Sequence, residues 1–240
     1  MCRFLAYLGP PVRLDALLLA PPHSLLRQSW EPRLQAHGKV NADGFGVGWY
    51  DHAVRSEPAR YRTPRPMWAD RNFASMAGVV SSGAVLAALR SATPPLPVEE
   101  SGTPPFTDGP WLFAHNGAVT DFAGPDGTGV GLRAAVSGRR LAGVEGASDS
   151  ELLFALVLDR LDVGACPEEA LSAVIDLVQS MAPESRLNFV LTNGHRVVAT
   201  ACGASLFVRH LEAGGALVAS EPHDDEPGWE PVPDGTTVAL

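Results

Sequence analysis

The stretch from Asn41 to Tyr50 constrains the fold more than any other part of the chain. Three glycines alternate there with Phe45, Val47 and Trp49, which is the period of two that a β-strand shows. One face of that strand is apolar, and the other carries no side chains. We therefore expect another strand or backbone to lie close against the bare face. The pattern does not match a dinucleotide-binding loop, because the last glycine of G-x-G-x-x-G is missing.

The composition is that of an ordinary globular protein, with 45% hydrophobic and 19% charged residues among 240. No apolar run approaches the roughly 18 residues of a membrane span. The leading segment breaks at Gly9-Pro10-Pro11 before the apolar region of a signal peptide can form. We therefore expect a soluble protein without a membrane partner. The net charge of -9 provides no basic surface for nucleic acid.

The cysteines and histidines bear on disulfides and metals. Cys2, Cys166 and Cys202 form an odd set without paired spacing, so we expect no disulfide framework and a reducing, cytoplasmic compartment. Six of the histidines are scattered without the spacing of metal ligands, which predicts no metal site: His23, His37, His52, His195, His210 and His223.

Apolar periodicity predicts the order of strands and helices. Strand-like runs occur at 3–8, 41–50, 83–92, 110–114, 187–192, 197–201, 206–211, 216–219 and 237–240. Helical spacing occurs at 12–19, 69–80, 149–161 and 167–181, and Ser148 with Glu151 forms a capping box before the third helix. We expect one α+β domain over residues 1–240. It is a four-layer αββα sandwich, in which two facing, mainly antiparallel sheets are covered by helices.

Three segments predict turns or loops. Residues 93–110 are rich in proline and glycine, which is typical of a long loop that covers a site. Residues 124–131 are rich in glycine but lack the lysine of a phosphate-binding loop, so we expect a flexible turn. His115-Asn116-Gly117 follows a strand, and Asn-Gly is a frequent hairpin turn.

Cys2 follows the initiator methionine directly. Removal of Met1 would leave a free α-amino group and a thiol on one residue. Their ordinary pKa values are about 8 and about 8.5, so the amine can take the thiol proton at little cost in free energy. The alternative is a small apolar residue that opens a strand.

The order and chemical types of several features resemble those of the class II glutamine amidotransferases, a family of N-terminal nucleophile hydrolases: Cys2, the 41–50 stretch, Arg90 with Thr93, Asn116-Gly117, and Asp149. Four segments are similar to the stand-alone γ-glutamyl hydrolases of ergothioneine biosynthesis: 1–50, 86–93, 106–119 and 219–235. The resemblance implies a small-molecule γ-glutamyl substrate and catalysis without a metal or organic cofactor.

The resemblance implies that Cys2 attacks the δ-carbonyl carbon of a γ-glutamyl amide, with its own α-amino group as the base. The amide of Asn116 and the backbone N–H of Gly117 would hold the oxyanion. A hairpin turn is the alternative interpretation of these two residues.

The resemblance also implies a clamp for the glutamyl group. Arg90 would bind the α-carboxylate, helped by the Thr93 hydroxyl, and Asp149 would bind the α-ammonium. The alternatives are an arginine in solvent at a strand end and an acid that suits the helix dipole.

The sequence departs from the glutamine amidotransferases beside the arginine. Ser91 stands where a bulky aromatic is common, and Pro94-Pro95 where His-Gly is common; the chain ends at Leu240 without an attached synthase. These departures favour a γ-glutamyl amide with a leaving group larger than ammonia. The resemblance implies that this amide is γ-glutamyl-hercynylcysteine sulfoxide, hydrolysed to glutamate and hercynylcysteine sulfoxide. The alternatives are a glutaminase subunit that supplies ammonia to a separate synthase, a hydrolase of another γ-glutamyl amide, and a non-catalytic sensor that kept the clamp.

Two further features have open interpretations. His115 either supports the site or is bonded to the backbone. Asp224 to Glu226 predict a solvated turn, whereas the preceding Ser220-Glu221-Pro222 is a candidate support for the strand of the nucleophile.

Overall fold

The computed structural model describes residues 2–36 and 38–240, and within them twelve strands form two antiparallel sheets. The strands are β1 (Arg3–Arg13), β2 (Phe45–Trp49), β3 (Ala59–Thr63), β4 (Ser81–Leu89), β5 (Phe106–Asp108), β6 (Trp111–Ala118), β7 (Arg186–Thr192), β8 (Val197–Ala201), β9 (Phe207–His210), β10 (Ala216–Ala219), β11 (Glu230–Pro231) and β12 (Thr236–Ala239). The seven-stranded sheet has the order β11-β9-β10-β1-β4-β2-β3, and the five-stranded sheet has the order β12-β8-β7-β6-β5.

The helices lie on the outer faces of the two sheets. They are α1 (Leu14–Leu18), α2 (Leu25–Gln28), α3 (Arg71–Ala77), α4 (Thr128–Ala135), α5 (Gly138–Leu141), α6 (Asp149–Asp162) and α7 (Pro167–Met181), with a 3-10 turn at Met67–Ala69. Side chains of α1, α2 and α3 pack on the seven-stranded sheet. Those of α4, α6 and α7 pack on the five-stranded sheet. The predicted four-layer αββα architecture is confirmed.

Alternation along each strand divides the side chains between the layers. On β1, Leu5 and Tyr7 face the helices, whereas Phe4 and Ala6 enter a separate core between the sheets. Many members of that inner core are alanines, and their small side chains let the two sheets approach each other closely.

The bare face of β2 confirms the expectation from its glycines. A Cβ atom on Gly48 would lie 2.5 Å from Cδ1 of Leu112 in the other sheet. A Cβ atom on Gly46 would lie 2.4 Å from the carbonyl oxygen of Pro104. Larger residues here would push the second layer away from β2, so the alternation of glycine is a packing requirement.

The hairpin-turn interpretation of Asn116-Gly117 is wrong. Both residues lie inside β6, where Asn116 pairs with Asn188 and Gly117 with Leu187 of β7. A Cβ atom on Gly117 would lie 1.8 Å from the carbonyl oxygen of Arg186. Glycine is therefore required at 117 by the close approach of the neighbouring strand, and no turn explains it.

Four element predictions need correction. The helix predicted at 12–19 begins at Leu14, because β1 continues past an irregularity to pair Val12 with Ser82. The flexible turn at 124–131 gives way to α4 at Thr128, which buries Leu132. The helix predicted at 69–80 is the shorter α3, and the loop at 93–110 contains β5. Among the described residues, no helix has both the length and the apolar character needed to cross a bilayer.

Candidate active site

Cys2 lies at the head of β1, in the middle of the seven-stranded sheet between β10 and β4. Arg3 pairs with Leu89, the last residue of β4, so Arg90 follows at the same edge of the sheet as Cys2. Met1, whose removal would free the α-amino group of Cys2, and His37 lie outside the described residues.

Five of the six predicted site residues line one cleft at this edge: Cys2, Arg90, Thr93, Gly117 and Asp149. The sixth, Asn116, is fully buried and is not part of the cleft wall. Other lining residues come from the loop after β4 and from the start of α6: Ser91, Ala92, Leu96, Gly102, Pro104, Ser148 and Ser150. A larger cavity of about 290 Å³ beside Arg60 and Arg62 contains none of the six.

The surroundings of the Cys2 thiol favour its neutral form. Burial raises its pKa, and the charge of Asp149 acts in the same direction. A backbone hydrogen bond from Ser91 and the charge of Arg90 oppose that rise. Since the net pKa shift is upward, the thiol needs a base before it can act as a nucleophile.

Arg90 is buried, with 4% of its surface exposed, so the interpretation as an arginine in solvent is wrong. Its backbone N–H donates to the Gly44 carbonyl (2.8 Å), and its Nη2 donates to the Pro97 carbonyl (2.8 Å). Nη1 has no hydrogen-bond partner within residues 2–36 and 38–240. A Cβ atom on Gly102 would lie 2.8 Å from Nη2, so the covering loop approaches the guanidinium with a bare backbone.

Asn116 is linked to the strand of the nucleophile through Ser220. Its Nδ2 donates to Ser220 Oγ at 3.4 Å, and Ser220 Oγ accepts the backbone N–H of Phe4 at 3.1 Å. The next residue, Glu221, lies 3.7 Å from the Arg3 guanidinium. Ser220 and Glu221 therefore support the strand of the nucleophile, as the interpretation of 220–222 expects.

Asp149 is the first residue of α6, and its carboxylate does more than suit the helix dipole. Oδ2 accepts the backbone N–H of Val119 (3.0 Å), and Oδ1 accepts the backbone N–H of Ser150 (2.7 Å). Ser148 caps the helix by accepting the Glu151 N–H at 3.2 Å. These bonds fix the direction of the carboxylate at the cleft. Thr93, in contrast, is exposed on the covering loop.

His115 is buried beside the cleft. Both of its open interpretations apply, because the ring is bonded to the backbone and also contacts a residue of the cleft. Its Nε2 lies 2.9 Å from the backbone carbonyl oxygen of Arg186. Its Nδ1 lies 3.0 Å from Oγ of Ser150, a cleft-lining residue. Burial lowers the pKa of the imidazole, so the ring is neutral at physiological pH.

Sequence reasoning missed Ser150 and Gly102. The position of Ser150 in the capping-box sequence indicates a helix start, but nothing local indicates the contact with His115. The solvated turn predicted at 224–226 is wrong for Asp224, whose carboxylate accepts from Arg209 and from the Trp229 indole, each at 2.8 Å.

Comparison with known proteins identifies the family of the chain. The family model described as glutamine amidotransferases class-II matches residues 24–213. A γ-glutamyl-hercynylcysteine sulfoxide hydrolase from Mycobacterium tuberculosis is 42% identical over 240 residues, covering 100% of this chain and 93% of that protein.

Solved structures match the whole fold. A glutamine aminotransferase class-II domain protein from Silicibacter pomeroyi superposes with a TM-score of 0.73 at 27% identity, covering 99% of this chain and 94% of that one. The glutamine phosphoribosylpyrophosphate amidotransferase of B. subtilis superposes with a TM-score of 0.63 at 14% identity, covering 100% of this chain and 47% of that one, a likeness of fold alone. The chain belongs to the class II glutamine amidotransferase family.

Proposed function

We propose that this protein hydrolyses the γ-glutamyl amide bond of γ-glutamyl-hercynylcysteine sulfoxide in the cytoplasm, as a step of ergothioneine biosynthesis. The observation that carries the proposal is the cleft that brings the Cys2 thiol together with a buried guanidinium and a fixed carboxylate. These are a nucleophile and two charges complementary to an α-amino acid. The name of the 42% identical relative supports the leaving group. The proposal takes residues 1–240 as one catalytic domain, without a nucleic-acid or membrane partner.

Cys2 is the nucleophile once Met1 is removed. Its α-amino group takes the thiol proton, and sulfur forms a bond to the δ-carbon of the glutamyl group. The C–N bond then breaks as the ammonium returns the proton to the leaving nitrogen. Water then attacks the resulting thioester, and the α-amino group takes one proton from it. The C–S bond breaks as the ammonium returns that proton to the sulfur, which releases glutamate. The upward shift of the thiol pKa makes this base necessary.

Asn116 and Gly117 stabilise the oxyanion of each tetrahedral intermediate. One amide hydrogen of Asn116 goes to Ser220 Oγ (3.4 Å), which leaves the other for the oxyanion beside the backbone N–H of Gly117. A donor of this kind contributes roughly 3 to 4 kcal/mol to transition-state stabilisation. The hydrogen bond from the Phe4 N–H to Ser220 Oγ holds this donor in a fixed position relative to Cys2.

Arg90 and Asp149 hold the two charged groups of the glutamyl moiety. The unpaired Nη1 of Arg90 is a donor for the α-carboxylate, with Thr93 as a second donor at the mouth of the cleft. A charged group that is buried without a partner is unfavourable, so a bound carboxylate gains from this pairing. The fixed carboxylate of Asp149 accepts the α-ammonium.

The loop after Arg90 forms the leaving-group side. Ser91, Leu96 and Pro104 line the cleft there, and none of them carries a charge. The small side chain at 91 leaves space for an amine larger than ammonia.

The first experiment is the intact mass of the protein before and after incubation with a diazo-ketone analogue of glutamine. We expect loss of Met1 and a single adduct on Cys2. Cys2→Ala should block both the adduct and turnover, whereas Cys166→Ala, which alters an exposed thiol, should block neither. Retained Met1, or an adduct on Cys166 or Cys202, would contradict the mechanism.

The second experiment compares substrates. We expect glutamate to be released from γ-glutamyl-hercynylcysteine sulfoxide much faster than ammonia is released from glutamine. Equal rates would favour the glutaminase subunit instead. Binding of either compound without turnover, in protein that has lost Met1, would favour the sensor.

A further inference from the structure

The first turn of α6 carries a hydroxyl that the mechanism above does not use. Ser150 lines the cleft next to Asp149. Its Oγ lies 3.0 Å from Nδ1 of His115 and 3.2 Å from Oδ1 of Asp149. A serine hydroxyl has one hydrogen to donate and two lone pairs to accept with, so the direction of that hydrogen decides what Ser150 offers to a ligand.

The neighbours of His115 determine the direction. The Arg186 carbonyl oxygen, 2.9 Å from Nε2, can only accept, so Nε2 carries the ring hydrogen. The lowered pKa of His115 means that a neutral ring has no second hydrogen. Nδ1 is therefore a buried acceptor, and the hydroxyl at 3.0 Å is its donor.

The competing acceptor, Asp149, is already supplied with donors. Its Oδ1 accepts the Ser150 backbone N–H at 2.7 Å, and its Oδ2 accepts the Val119 N–H at 3.0 Å. Without the Ser150 hydroxyl, Nδ1 of His115 would remain a buried acceptor with no partner, which is unfavourable. The hydrogen of Ser150 thus points to His115, and the lone pairs of its oxygen are left beside the Asp149 carboxylate.

We propose that Ser150 Oγ accepts a hydrogen bond from the α-ammonium of the γ-glutamyl substrate, and that His115 is a positioning residue that keeps this oxygen an acceptor. The inference rests on the proposed function, since it takes Asp149 as the ammonium site. An ammonium has three N–H donors. The carboxylate of Asp149 and the adjacent hydroxyl of Ser150 together match more of them than the carboxylate alone.

The test compares two substrates that differ only in the α-ammonium: a γ-glutamyl amide and a glutaryl amide of one and the same S-substituted cysteine sulfoxide. The readout is the ratio of their kcat/KM values. Ser150→Ala should lower the wild-type preference for the γ-glutamyl amide by about tenfold or more, as expected for a hydrogen bond to a charged group. It should lower kcat/KM for the glutaryl amide much less than that for the γ-glutamyl amide, and Ser150→Thr, which keeps a hydroxyl, should restore the preference.

His115 is tested by two variants and a control. His115→Leu removes the acceptor and should lower the preference as Ser150→Ala does. His115→Asn keeps an amide near the position of Nδ1 and should retain more of it. Ser185→Ala, which removes another buried serine hydroxyl that accepts a backbone N–H (Thr120, 3.1 Å), should leave the ratio at the wild-type value.

The outcomes separate the two proposals. If the wild type prefers the γ-glutamyl amide and folded Ser150→Ala keeps the full preference, the inference is overturned while the proposed function stands. If folded His115→Leu keeps the full preference, the positioning role is overturned. A wild type that does not distinguish the two amides overturns the ammonium site of Asp149 and the inference with it.

Discussion

Two buried arginines lie at neighbouring strand ends and differ in what balances their charge. Arg3, at the head of β1, is 0% exposed and faces the carboxylate of Glu221 at 3.7 Å. Arg90, just beyond β4, is 4% exposed. Within residues 2–36 and 38–240, its side chain donates to the Pro97 carbonyl alone and has no carboxylate partner.

The difference supports the proposal that Arg90 serves a ligand, whereas Arg3 serves the fold. Burial of an ion is costly unless a partner compensates it. Glu221 offsets part of this cost for Arg3, although burial still lowers the pKa of the guanidinium. The oxygens of Glu221 also accept the backbone N–H groups of Arg33 and Leu34 (3.0 and 2.9 Å). Arg90 has no carboxylate partner among the described residues, so under the proposed function the α-carboxylate of the substrate would offset the cost of its burial.

The largest effect is expected from Arg90→Met. The two N–H groups of Nη1 are lost as charge-assisted donors to the α-carboxylate, each worth roughly 1.5 to 3 kcal/mol, so kcat/KM should fall by about 10²- to 10⁴-fold. The free energy of unfolding should stay the same or rise, because an uncompensated buried charge is removed. Kinetics and urea unfolding of one preparation check both expectations. The control is Arg27→Met, which changes an exposed arginine. If Arg90→Met lowers the free energy of unfolding as much as Arg3→Met does, the proposed difference between the two arginines is refuted.

Arg3→Met should show the opposite pattern. Glu221 is left buried without its cation, which typically lowers the free energy of unfolding by roughly 3 to 5 kcal/mol. The folded fraction should keep most of its kcat/KM, because Arg3 does not line the cleft. The double variant Arg3→Met with Glu221→Gln should be more stable than the sum of the two single losses predicts. Additive losses in urea unfolding would mean that the 3.7 Å contact does not couple the two residues.

The sequence predicted those parts of this arrangement that have a local pattern. The alternating glycines of β2 predict a close neighbour because period two is visible within ten residues. The Ser148 cap is likewise a short-range signal, and the structure bears it out at the Glu151 N–H. The family resemblance supplied Arg90, but nothing in its immediate sequence distinguishes it from an arginine in solvent.

The parts that escaped prediction depend on contacts between distant segments. Asn116-Gly117 has the local chemistry of a turn, yet pairing with β7 and the close Arg186 carbonyl hold it in a strand. Ser150 meets His115 across 35 residues, and Ser220 meets Asn116 across 104. Only the topology of the two sheets brings these pairs together, and a single sequence does not encode that topology as a pattern.

Ligand binding should also distinguish the two arginines, through a smaller change in the free energy of unfolding. With Cys2→Ala as background to prevent turnover, a γ-glutamyl amide at about 100 times its Kd should raise the free energy of unfolding by about 2.7 kcal/mol. Adding Arg90→Met should remove that increment at the same concentration. Adding Arg3→Met should keep it, on a lower baseline. Thermal unfolding with and without ligand measures the increment, and its survival in the Arg90 variant would mean that another residue holds the carboxylate.

The smallest effect concerns His115. Unlike the two arginines, this buried side chain is neutral rather than charged. Its pKa is lowered from an ordinary value of 6.5, so below that pH the unfolded chain binds a proton that the folded protein refuses. The stability from the neutral ring is therefore fully present above pH 6.5 and is lost as pH falls toward the folded pKa, at no more than about 1.4 kcal/mol per pH unit. His223, whose pKa burial also lowers, acts in the same direction.

The measurement that isolates His115 therefore compares wild type with His115→Asn, by the change in free energy of unfolding in urea between pH 7.5 and pH 5.5. A loss on acidification as steep in the variant as in the wild type would show that His115 takes up its proton in the folded state, and that burial does not suppress its charge.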